Sequence, residues 1–91
     1  MTTVRLPAQL REYAEGHATI DVEPDGGPLT VGAVLDFLES RYPLVGRRIR
    51  DEQGGIRRHV HVYVGEDRVR SLGDAIAEGA VVTILPAVSG G

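Results

Sequence analysis

His59 and His61 are the pair of side chains whose spacing most suggests a ligand set. Two imidazoles two residues apart on a strand point to one side and can share a metal ion. No third ligand stands at an obvious spacing, so a plain exposed strand face is expected and no metal site is assigned. His17 lies alone in an expected turn. Ser40, Ser71 and Ser89 fall in a helix end, a turn and the tail, without the strand-to-helix elbow that presents a nucleophilic serine. The pairs Gly26-Gly27 and Gly54-Gly55 lack the fixed spacing of a phosphate-binding loop. No two carboxylates are marked out as an acid–base couple. Cysteine is absent, and all ten basic residues are arginine. Thiolate sites, Schiff-base chemistry and a side-chain amine able to accept an isopeptide bond are therefore excluded. By its own side chains the chain is not expected to be an enzyme.

One reactive group remains, the α-carboxylate of Gly91. It follows an apolar run, Val81-Val82-Thr83-Ile84-Leu85, and a short tail, Pro86-Ala87-Val88-Ser89-Gly90-Gly91. Pro86 cannot donate to a sheet ladder, so strand pairing should end near it. Two glycines have no Cβ and can thread a passage too narrow for a side chain. Such an end suits a protein that presents its terminus to a partner's active site. The alternative is an ordinary frayed end.

The elements that must position this tail are legible in outline. Thr3-Val4-Arg5-Leu6 alternates as a strand with Val4 and Leu6 on one face, and residues 18–23 alternate again with Ile20 and Val22 inward. A helix is expected from about residue 31 to 41, capped by Thr30, with Val31, Val34, Leu35 and Leu38 as its apolar stripe. Pro43 should stop it at Tyr42, and a further short helical turn can form over residues 44–50. Residues 59–64 alternate strictly, with Val60, Val62 and Val64 inward. Gly65-Glu66-Asp67 reads as a turn and Arg68-Val69-Arg70 as a short return strand, followed by a brief crossover anchored by Leu72 and Ile76. Residues 81–85 are apolar enough for the middle of a sheet, with the first and last strands as central neighbours. The order is close to β-β-α-β-β-β, an α+β fold with the helix packed across one face of a mixed sheet.

Ninety-one residues suit one domain, and 42% apolar with 25% charged residues is the composition of a soluble globule. No run approaches the length of a membrane span, and the start carries no apolar secretion segment, so a cytoplasmic location is expected. The net charge of −3 argues against a nucleic-acid binder. Its distribution is uneven. Between positions 41 and 58 six arginines face two acids, Asp51 and Glu52, a balance of +4; elsewhere four arginines face eleven acids, a balance of −7. This pattern fits a protein partner met through complementary patches, or a solvated loop with ordinary scatter of charge.

The ending Val82-Thr83-Ile84-Leu85-Pro86-Ala87-Val88-Ser89-Gly90-Gly91 resembles the tail of the ubiquitin-like sulfur-carrier family. That family spans thiamine-pathway carriers, the small subunit of molybdopterin synthase and the cysteine-pathway carriers of actinobacteria. Val4-Arg5-Leu6-Pro7-Ala8-Gln9-Leu10-Arg11 looks like the first strand and turn of the molybdopterin type. Residues 61–70 and Thr83-Ile84-Leu85-Pro86-Ala87-Val88 are closer to the cysteine-pathway type. The resemblance implies a β-grasp fold with a mixed sheet of four to five strands and one main helix, a domain over 1–85 and a tail over 86–91. It also implies a mechanism. A ubiquitin-activating-type enzyme, using ATP and magnesium that this chain does not itself bind, adenylates Gly91; a sulfur donor then leaves a thiocarboxylate for a downstream synthase. By the same likeness Gly90 gives the slender approach, while Leu85, Pro86, Ala87, Val88 and Ser89 contact the activating enzyme. Leu6, His61 and Tyr63 extend that surface on the exposed sheet face. A core role for Leu85 remains open, since one strand face must pack on the helix. Ser89 departs from the alanine or threonine often found there. Cysteine synthesis, through a pyridoxal-phosphate-dependent synthase, is the pathway favoured by likeness, ahead of molybdopterin, thiamine and secondary-metabolite routes. The rival readings are a modifier conjugated to lysines and a binding module for which the glycines are incidental. A transiently docking monomer is expected.

Overall fold

The computed structural model describes residues 1–23, 29–69 and 71–86. A five-stranded mixed sheet, ordered β2-β1-β7-β4-β5, forms its spine. The strands are β1 (Thr2–Arg5), β2 (Thr19–Val22), β4 (Val60–Val64), β5 (Asp67–Arg68) and β7 (Val81–Pro86). Strand β7 lies at the centre, parallel to β1 and antiparallel to β4, as its apolar composition predicts. Between β2 and β4 come β3 (Leu29–Thr30), α2 (Val31–Arg41) and α3 (Pro43–Ile49). Strands β3 and β6 (Ala75–Ile76) pair separately as a two-stranded ladder.

Helix α2 forms as the sequence dictates. The Thr30 hydroxyl accepts a hydrogen bond from the Ala33 amide at 3.2 Å. Two further free amides of the first turn, on Val31 and Gly32, donate to the carbonyls of Asp74 and Leu72, so the crossover segment completes the cap. The stripe Val31, Val34, Leu35 and Leu38 is wholly buried. It packs in one core with Val4, Ile20, Val22, Val62, Val82 and Ile84 from the sheet. Tyr42 ends the helix, and Pro43 opens α3 at a position where its missing amide is harmless.

Four features depart from the expected outline. The connection between β1 and β2 contains a short helix, α1 (Ala8–Arg11), and a 3-10 turn over Glu12–Ala14. These bury Leu10 and Ala14 and close through a left-handed Glu15 and Gly16. The short turn expected after Pro43 is a seven-residue helix, so two helices cover the sheet. The return strand is Asp67–Arg68, because Gly65 and Glu66 suffice as a two-residue turn with Gly65 at φ 60°. Lastly, the crossover carries strand β6. Among the described residues, no helix is long and apolar enough to cross a membrane.

Candidate functional site

The pleat of β7 decides which residues near the tail meet solvent. Val82 and Ile84 point to the helices and are fully buried, whereas Val81 and Leu85 are exposed on the opposite face. Only one side of this central strand is covered, so its apolar character exceeds what the core uses. Leu85 is 44% exposed, which settles its side: it stands on the open face and is no core residue.

Register gathers the neighbours of Leu85. On β4, His61 is directly opposite Leu85 and Tyr63 is opposite Thr83. The His61 and Tyr63 rings meet edge-on, with centroids 6.4 Å apart and planes at 69°. On the other flank Arg5 of β1 pairs with Thr83, and Thr3 with Val81. The Thr3 hydroxyl donates to Asp21 on β2 at 3.0 Å. The open face is thus a band in which Leu85, His61 and Tyr63 present apolar and aromatic surface beside the hydroxyl of Thr83 and the guanidinium of Arg5. Such a mixture, flat and partly apolar, fits a protein surface better than a small-molecule pocket.

Leu6 requires correction. It was expected on this exposed face, but it is 2% exposed and belongs to the core. The cause is alternation: Leu6 shares parity with Val4, and the open-face residue of that segment is Arg5. Arg5, Thr83 and Val81 were passed over, although the same two-residue period contains the signal for all three. His61 and Tyr63 occupy the open face as expected. His59 lies ahead of β4 and lines a groove on another side of the molecule, so the two histidines do not share one setting. Among the described residues, no three His, Asp or Glu side chains stand together as a metal site. Pro86 closes β7 opposite Val60, so the strand extends one residue beyond the expected boundary. Ala87, Val88, Ser89, Gly90 and Gly91 lie outside the described residues.

The basic segment proves partly structural. Arg50 leaves α3 with its side chain only 10% exposed and places a guanidinium nitrogen 2.8 Å from Asp36 and 3.7 Å from Glu39 on α2. Its Nε is buried without a partner. Asp51 caps the following loop by accepting from the amides of Gln53 and Gly55. The remaining arginines of this segment are spread over the end of α2, α3 and the loop leading to β4.

Comparison with known proteins bears on this surface. Residues 4–91 match the model of the ThiS family. The chain is 39% identical to the sulfur carrier protein CysO of Mycobacterium tuberculosis over 94 residues, covering 98% of this chain and 97% of that one. The crystal structure of that CysO superposes with a TM-score of 0.84. CysO in the Amycolatopsis orientalis BexX/CysO complex superposes at 0.85, with 33% identity and 100% of both chains covered. Small archaeal modifier protein 1 of Haloferax volcanii is 36% identical over 87 residues, covering 96% of this chain and 97% of that protein.

Proposed function

Because the chain belongs to the ThiS family of ubiquitin-like sulfur carriers with a β-grasp fold, we propose that its Gly91 carboxylate is converted to a thiocarboxylate that donates sulfide, in cysteine synthesis. A carboxylate oxygen attacks the α-phosphate of ATP and pyrophosphate leaves. A sulfide equivalent then attacks the acyl carbon of the mixed anhydride. A carbon–sulfur bond forms, the carbon–oxygen bond to the phosphate breaks, and AMP carries that oxygen away. Adenylation is needed because a carboxylate is a poor electrophile with no leaving group. ATP, magnesium and the sulfur donor belong to a ubiquitin-activating-type partner, and the chain serves as co-substrate rather than catalyst. The absence of cysteine suits this chemistry, since no internal thiol competes for the activated acyl group.

The observation carrying this reading is the near full-length likeness to a sulfur carrier. Leu85, His61 and Tyr63, together with Arg5 and Thr83, form the face that meets the activating enzyme. Pro86, Ala87, Val88, Ser89 and Gly90 lead Gly91 into its active site. Downstream, a pyridoxal-phosphate-dependent synthase holding an activated serine takes the sulfide. The carrier acts as a cytoplasmic monomer. A CysO relative is seen in complex with BexX, which favours partner docking as the mode of action.

A second reading is favoured by the likeness to an archaeal modifier: conjugation of the activated terminus to lysines of other proteins. Intact-mass measurement separates the two. With ATP, magnesium, a sulfur donor and the activating enzyme, the carrier reading expects a sulfur-for-oxygen exchange on the free chain. The same chain extended by one residue after Gly91 should remain unchanged. Covalent adducts with other proteins and no thiocarboxylate would establish the modifier; an extended chain that still functions would defeat both.

A further inference from the structure

The face bearing Leu85 is not the only surface beside the root of the tail. The pleat that turns Leu85 outward turns Pro86 to the other side, where it lines a groove of about 710 Å³ between α1, α3 and the start of β4. Its apolar lining is the buried Leu10 and Val60, the half-buried Pro7 and the exposed Pro86, with Leu44 at the start of α3 left 53% exposed. Its rim holds three guanidinium groups, Arg47, Arg48 and Arg57. Among the described residues no aspartate or glutamate lines it. None of these three arginines lies within ion-pair distance of a described carboxylate. The acids of this region, Asp36, Glu39, Asp51 and Glu52, gather in the neighbouring cleft around Arg50, which Arg47 and Arg57 also border, so that Arg48 alone of the three faces only the apolar groove.

Two of the cations, Arg48 and Arg57, are also held in place. Arg48 stacks its guanidinium 4.3 Å from the Tyr13 ring centroid. Arg57 donates from Nε to the Arg47 carbonyl at 2.8 Å, tying the loop before β4 to α3. Their ordering is thus provided before any ligand arrives, which lowers the entropic cost of binding an anion. An isolated exposed leucine needs no explanation. A leucine in one groove with the buried Leu10 and Val60 and with three like charges is different, because an anionic, partly apolar ligand both relieves the repulsion and covers the apolar lining.

We propose that this groove docks an acidic peptide segment of a partner protein, with one apolar side chain seated between Leu10 and Leu44 and flanking carboxylates on Arg47, Arg48 and Arg57. A polyanionic nucleic acid fits less well, since the rest of the chain has eleven acids against four arginines. With Leu85 on one side and Pro86 on the other, a partner holding both surfaces grips the tail root from two directions. The proposal deepens the carrier reading, on which it rests only for the statement that partners handle the tail.

The test is a titration of the isotopically labelled full chain with a synthetic peptide in which one leucine is flanked by glutamates, followed by amide NMR. Saturable shifts at Leu10, Leu44 and Val60 are expected, and none with the lysine counterpart. Binding should weaken about tenfold in an R47E/R48E double variant. If that variant loses its dispersed spectrum, Arg47→Gln with Arg48→Gln replaces it. The proposal is overturned by absent or scattered shifts, by undiminished binding to the variants, or by equal binding of a leucine-to-serine peptide or an oligodeoxythymidylate. Neither ATP nor sulfur enters this titration, so its failure would leave the thiocarboxylate chemistry standing, and the reverse also holds.

Discussion

Ile84 and Leu85 are adjacent, both apolar, and opposite in consequence. Ile84 is fully buried against the helices, so Ile84→Ala should cost about 2–5 kcal/mol in urea denaturation. Leu85 faces solvent, so Leu85→Asp should leave stability within about 0.5 kcal/mol while sharply lowering the rate at which an activating enzyme consumes the carrier. A Leu85 variant that unfolds, or one that is activated normally, would remove that residue from the contact face. Arg50 tests a different balance. Its nearest partner, Asp36, is largely exposed and its Nε is unpaired, so the ion pair gains little in water while desolvation opposes it. Arg50→Met should therefore change stability by less than about 1 kcal/mol, despite removing the closest ion pair among the described residues; a larger loss would show that the pair matters energetically.

At the scale of elements, the contact between α2 and α3 depends on one glycine. A Cβ at Gly46 would sit 2.5 Å from the Cβ and 2.6 Å from the Cα of Glu39, too close for any rotamer change to relieve. Alanine would gain about 1 kcal/mol in helix propensity, but separating two packed helices outweighs that. Gly46→Ala should be net destabilising, by about 1–3 kcal/mol, measured by thermal or urea unfolding; a stabilised variant would mean that α3 shifts freely. Thr30→Ala removes the cap of α2 and should cost about 1 kcal/mol. Helix α2 was legible in the sequence because its cap, stripe and proline stop agree over eleven residues. Helix α1 and the β3–β6 pair were not, since elements of four and two residues have no stable local signal. They exist because the core accepts Leu10 and Ile76.

For the whole molecule, the uneven charge gives a measurable expectation. A net negative body with arginines at one groove should meet an acidic partner segment through steering, so raising salt from low to physiological strength should slow association more than dissociation. An association rate indifferent to salt would remove the groove from the encounter. The sheet makes this arrangement durable. The tail leaves from the central strand, which is paired with β1 as far as Thr83 and with β4 as far as Pro86, and central strands are the part of such a domain that opens least.

By itself the sequence determined an order close to β-β-α-β-β-β, the span and cap of α2, the central place of β7 and the likeness to sulfur carriers, which in turn implied the β-grasp. Each is written in local period or in a contiguous motif. The tertiary structure alone decided that Leu85 stands opposite His61, and that Arg47, Arg48 and Arg57 line one groove beside Pro86. Alternation fixes which residues share a strand face. It cannot fix which strands become neighbours or which cations find a carboxylate, because those depend on register and packing between segments far apart in the chain.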